Sequence, residues 1–132
     1  MNRKISREIA MKILYQMIIN KDTYENLKMN LSEIIEEKDL ENVDYNYIDK
    51  IVMGVTNNIE ELDKKIEENL VDWKLNRISK VNLCILRLSV YEMFYVEDVP
   101  KKVAINEAVE LGKKYSDNKA HKFINGVLAK FL

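Results

Sequence analysis

Proline occurs once in the 132 residues and glycine three times, at positions 54, 112 and 126. A chain so poor in turn-forming residues makes few tight bends, which argues against a β-rich fold of many short strands. Cys84 is the only cysteine, so neither a disulfide framework nor a multi-cysteine metal site is expected. It sits in the apolar run Val81 to Tyr91 and reads as core, which fits a reducing cytoplasm. His121 is the only histidine, so no pair of imidazoles stands at metal-ligand spacing, and nucleophilic catalysis would need Cys84 exposed beside it. The three glycines form neither a dinucleotide fingerprint nor a phosphate loop. Carboxylates are plentiful, but they share polar faces with lysines rather than lying in an apolar setting that would raise one pKa. No catalytic residue, metal or cofactor is therefore expected. No apolar run reaches the length of a membrane span, and the first twenty residues lack the order of a signal peptide, so a soluble protein is expected.

What is present is apolar and charged in a ratio that favours helices, with 47% hydrophobic and 33% charged residues. The length suits one domain with a real core, and residues 1–132 read as a single all-α domain of six or seven helices. Net charge is only −1, yet the charges are segregated. Residues 1–21 carry five Lys/Arg against one acid, 22–72 five against fifteen, and 73–132 eleven against six. Two basic ends flank an acidic middle. If folding gathers those ends, they make a surface able to steer a phosphate backbone; the alternative is scattered, solvated lysines.

Periodicity predicts a first helix over about 4–20, with Ile9, Ala10, Ile13, Leu14, Met17 and Ile18 covering much of its circumference. Arg3, Lys4 and Arg7 crowd its N-terminus, where the helix dipole disfavours cations by a few tenths of a kcal/mol, roughly. Anion binding would compensate, because helix N–H groups and guanidinium forks both suit phosphate; a frayed terminus is the alternative. A second helix is expected from Asp22 or Thr23 to about Glu37, followed by a solvated connection. Asp44 is expected to cap a third helix whose buried stripe is Tyr47, Ile48, Ile51, Val52 and Val55, with a break at Asn57-Asn58. A fourth runs over 59–70, and Trp73 is expected to anchor the loop after it. The stretch 78–96 is apolar nearly all round and reads as the innermost helix, with Arg87 and Glu92 expected to find partners.

The last third carries the most information. Pro100 suits a helix start, and a second helix capped by Asp117 or Asn118 places Ala120, Phe123, Ile124, Val127, Leu128 and Phe131 in one apolar stripe. Gly126 lies on its outer face with Lys119, Lys122 and Lys130 around it, and Phe123 stands at the stripe's edge.

Asp98-Val99-Pro100 with Lys102-Val103-Ala104-Ile105-Asn106-Glu107-Ala108-Val109-Glu110-Leu111, and His121-Lys122-Phe123-Ile124-Asn125-Gly126-Val127-Leu128, resemble the NusB family of bacterial transcription antitermination factors. Ile85-Leu86-Arg87 and Tyr91-Glu92 belong to the same likeness, which covers essentially the whole chain. Arg3-Lys4-Ile5-Ser6-Arg7-Glu8 is similar to the family's arginine-rich start, with Lys4 and Ile5 where arginines are common. The resemblance implies two small helical subdomains and a complex with the small-subunit ribosomal protein NusE. It further implies recognition of boxA RNA with the transcription elongation complex, in support of ribosomal RNA transcription. Together with the two basic patches, it makes Arg3, Lys4, Arg7, Lys119 and Lys122 the expected phosphate contacts, and Phe123 or Tyr15 the expected stacking residue. Core packing is the alternative for Phe123. A helical protein-interaction module without specific RNA binding is the competing function. A third reading, the NusB-like portion of ribosomal RNA cytosine methyltransferases, would need room for a catalytic domain beyond Leu132. Monomer and homodimer are both open.

Overall fold

The computed structural model describes residues 2–71 and 74–132. Regular structure there is helical throughout: α1 (Arg3–Ile19), α2 (Tyr24–Lys28), α3 (Tyr45–Asn57), α4 (Ile59–Glu68), α5 (Lys80–Tyr95), α6 (Lys101–Tyr115) and α7 (Ala120–Ala129). Short 3-10 turns occupy Leu31–Glu33, Glu37–Asp39 and Leu75–Arg77. The all-α expectation holds, at seven helices. The chain divides into two compact units, Met1–Gly54 and Val55–Leu132, with the boundary inside α3. The expected anchor, Trp73, lies outside the described residues.

In the first unit, α1 starts where Asn2 caps it, its Oδ1 accepting from the amides of Lys4 at 2.9 Å and Ile5 at 3.2 Å. Ile9, Ala10, Met11, Ile13 and Leu14 are buried. After the C-cap Asn20, Lys21 turns the chain with φ 52, a left-handed conformation that helix ends usually give to glycine. The second helix is much shorter than periodicity predicts. It stops at Lys28, and Asn30 leaves the helical region with φ −131 and ψ 39. Leu31 to Asp39 continues as separate 3-10 turns, because an apolar spacing of three and four fits successive single turns as well as one helix. The Tyr24 hydroxyl donates to the Asp49 carboxylate, which also pairs with Lys28 at 3.1 Å, joining α2 to α3. Burial and that carboxylate hold the Tyr24 hydroxyl well above its ordinary pKa. Asp44 caps α3 as expected, accepting from the Tyr47 amide at 3.1 Å.

In the second unit, α5 is the inner helix, packed against α4, α6 and α7. Ser79 caps it by accepting from the Asn82 amide at 3.2 Å. Ten of its residues, Leu83 to Leu86 and Leu88 to Met93, are buried. Cys84 is among them, and burial pushes its thiol up to about 12, so it is inert core. Arg87 finds the partner its position requires. Its Nε and Nη2 donate to the two Asp63 oxygens at 2.7 and 2.8 Å, a bidentate pair linking α5 to α4. Glu92 is fully buried. Phe94, by contrast, is 40% exposed rather than internal, with Lys65 and Lys101 ammoniums 4.4 and 4.9 Å from its ring centre. The Ser89 hydroxyl reaches the Ala104 carbonyl at 3.2 Å and joins α5 to α6.

α7 packs chiefly against α6 and also against α5, burying Ala120, Ile124, Val127 and Leu128. Fully burying an aliphatic side chain of this size contributes roughly 1.5–3 kcal/mol, enough to fix which face of the helix is inside. α6 and α7 pack closely at Gly112: a Cβ there would stand 2.8 Å from Ile124 Cδ1, which would have to shift, and at ordinary contact distance, 3.6 Å, from the His121 backbone. The Asn69 amide donates to the Val127 carbonyl at 3.2 Å and ties the end of α4 to α7. Among the described residues, no helix is long and apolar enough to cross a membrane.

Candidate nucleic-acid interface

The first basic surface belongs to the start of α1. Arg3 and Lys4 are exposed, whereas Arg7 is 5% exposed. Beneath them lies Tyr47 of α3, itself buried. The Arg3 guanidinium carbon is 4.6 Å from the Tyr47 ring centre and that of Arg7 is 6.0 Å away. The negative ring face attracts both cations and offsets the helix dipole, which would otherwise repel them. Asn2 already occupies the Lys4 and Ile5 amides, so anion recognition here falls to side chains rather than to helix N–H groups.

Ser6 fixes this corner. Its hydroxyl, wholly buried, donates to the Asn2 carbonyl at 2.8 Å and accepts from the Asp44 amide at 2.8 Å. The Asn2 amide in turn donates to the Asn42 carbonyl at 2.7 Å. One side chain thus closes the first turn of α1 onto the first turn of α3, which brings Tyr47 under the arginines.

The second basic surface is the start of α7. Lys119 itself is the N-cap and no side chain caps α7, so neither Asp117 nor Asn118 plays the expected part; the Asp117 carboxylate instead accepts from the Lys119 amide at 3.0 Å in the turn before the helix. Lys119 and Lys122 are exposed, and among the described residues neither ammonium makes an ion pair. Phe123 is half-buried, between the buried stripe and the open face. Lys130 is exposed, but its ammonium donates to the Asn69 carbonyl at 2.9 Å and serves the fold. Gly126 is exposed.

The structure therefore gathers Arg3, Lys4 and Arg7 on one helix start, and Lys119, Lys122 and Phe123 on another. Tyr15 stands apart, half-buried on α1 and about 16 Å along the helix from Lys4 at 1.5 Å per residue. Tyr47 escapes a reading by periodicity, which shows only a buried stripe residue; its use as a platform depends on a tertiary contact. Asn2 and Ser6 carry a legible signal, since Asn before a helical run is a strong N-cap. No group of three or more His, Cys, Asp or Glu among the described residues is placed to hold a metal ion.

The chain as a whole has known counterparts. The NusB family model matches residues 4–132. The chain belongs to the NusB family. A transcription antitermination protein NusB of Clostridium novyi is 53% identical over 132 residues, covering all of this chain and 98% of that one. Among solved structures, Thermotoga maritima (T. maritima) NusB superposes with a TM-score of 0.84 at 32% identity, over 98% of this chain and 89% of that one. A structure of the antitermination factors NusB and NusE in complex with dsRNA matches with a TM-score of 0.82 at 35% identity, over 97% and 93% of the two chains. Membership makes this chain an antitermination factor by family, not an enzyme.

Proposed function

We propose that residues 1–132 act as one RNA-binding module that recognises boxA-type single-stranded RNA together with the ribosomal protein NusE. In that role it joins the transcription elongation complex in the cytoplasm and supports ribosomal RNA transcription. The observation that carries RNA and NusE as partners is the 35% identity, over nearly the full chain, to a protein solved as NusB with NusE and dsRNA, and the preference for a boxA-type single strand is what the family resemblance implies. The two basic helix starts supply the chemistry. Arg3, Lys4, Lys119 and Lys122 offer charge to phosphates, and Phe123 or Tyr15 offers a ring to a base, each such stack being worth roughly 1–3 kcal/mol. Arg7, buried beside Tyr47, adds positive potential and holds the platform.

The test is a titration of the chain with boxA-type RNA, a scrambled strand and a duplex across a salt series, with and without NusE. Preference for the boxA strand, tightened by NusE and weakened in Arg3→Ala/Lys4→Ala, is the expected result. Equal affinity for all three RNAs, or no loss in the variant, overturns it. A protein-interaction module is the competing reading, favoured by Met29, 80% exposed. That reading gains if NusE binds undiminished while no RNA does. Mass in solution with and without RNA shows whether a homodimer competes for the basic surfaces.

A further inference from the structure

Two glycines lie inside helices of the second unit, and only one has a reason within the chain. Gly112 sits where a Cβ would come within 2.8 Å of Ile124 Cδ1, so that side chain would have to shift. At Gly126 a Cβ would meet nothing within 4 Å. No glycine among the described residues has positive φ, so the backbone at 126 is one that any residue could adopt. Glycine is the poorest helix former after proline, and Gly126 stands in the body of α7, six residues after its first and three before its last. Neither packing, conformation nor helix stability accounts for it.

Its surroundings point outward. At 100° per residue, Lys119, Phe123, Gly126 and Lys130 fall within a sector about 60° wide, and Lys122 flanks it. Because Lys130 is drawn to the Asn69 carbonyl, the available cations are both on the N-terminal side of Gly126, next to the half-buried ring of Phe123. The strip is a stretch of bare helix backbone with charge and an aromatic beside it. A chain of sugars and phosphates, bulky and anionic, is the ligand that such a strip admits and a side chain would hold off.

We propose that Gly126 is a close-approach point, where the RNA sugar–phosphate backbone lies against α7 while Lys119 and Lys122 take its phosphates. This rests on the RNA-binding reading above and adds to it a steric determinant without charge.

The experiment uses the full chain and its Gly126→Ala, Gly126→Gln and Lys122→Ala variants, with melting temperature and boxA-type RNA affinity measured across salt. Both Gly126 variants are expected to melt at or above the wild-type temperature, since each is a better helix former. Affinity is expected to fall with side-chain size, tenfold or more for Gln. The slope of log K against log salt is expected to stay at the wild-type value, because no phosphate contact is removed. Lys122→Ala should instead lower that slope by about 0.7, the value for one phosphate on a single strand. Wild-type affinity in both Gly126 variants overturns the proposal while leaving the RNA reading intact. A wild-type chain that binds no RNA overturns both. A loss of affinity that comes with a lowered melting temperature also overturns it, because the loss would then reflect the fold.

Discussion

The starts of α1 and α7 both present cations at a helix N-terminus, but they hold them differently. In α1 the charge is built into the fold: Asn2 takes the first amides, Ser6 locks the turn to α3, and Tyr47 lies under the guanidinium groups. In α7 no side chain caps the helix, Asp117 only steadies the turn before it through the Lys119 amide, and the lysines extend into solvent. A cation held by a buried ring is fixed before any ligand arrives, whereas a solvated lysine must be ordered at binding and loses rotamer freedom then. The first surface therefore suits positioning, and the second can change without disturbing the core it sits on.

The largest test of that difference removes the platform. Tyr47→Ala should cost about 3–5 kcal/mol of stability in denaturant unfolding, because it empties a buried site in the first unit and leaves Arg3 and Arg7 without their ring. A cost under about 0.5 kcal/mol, the size of a surface change, would break the contrast. Next is the lock. Ser6→Ala deprives the Asp44 amide of its acceptor and should cost about 1–3 kcal/mol by the same measurement. Its RNA affinity should fall although the variant loses no charge, because it acts only by loosening Arg3 and Lys4.

A smaller effect comes from the cap. Asn2→Ala should cost about 1 kcal/mol, typical of a lost N-cap. It also opens the Lys4 and Ile5 amides to solvent at a cationic helix start. Added inorganic phosphate should then raise the melting temperature of the variant more than that of the wild type. An equal response in both would mean that the cap is not what denies anions those amides.

How far the sequence foretells these features depends on whether the cause is local. The stripe of α7, the cap Asp44, and the need of Arg87 for a partner follow from spacing and side-chain chemistry, and all appear in the structure. The premature end of the second helix does not, because an apolar residue every third or fourth position satisfies a 3-10 turn as well as an α-helix. The exposure of Phe94 is also hidden, since an almost wholly apolar α5 gives periodicity no face to choose. At the candidate site, the cations and Phe123 are legible as residue types at the right places. Tyr47 is not, because its role comes from a contact across some forty residues of chain. For two of the three cations at the start of α1, Arg3 and Arg7, the Tyr47 ring is a compensating partner within the protein itself.

The smallest expected effect on the fold is the one that sharpens the comparison most. Lys119→Ala/Lys122→Ala removes two exposed ammoniums that make no ion pair among the described residues, from the face of α7 opposite its buried stripe. Stability should stay within about 0.5 kcal/mol of wild type, as for most surface changes. RNA affinity should not stay, and the way it falls identifies the cause. If each lysine meets one phosphate, the slope of log K against log salt should drop by about 1.4, twice the single-strand value per phosphate. The boxA strand and the scrambled strand should weaken by the same factor, because phosphate contacts carry no sequence information. A preferential loss of the boxA strand would give these lysines a part in base recognition. An unchanged slope would assign the charge contacts to α1 alone, and the two helix starts would then differ in function as well as in construction.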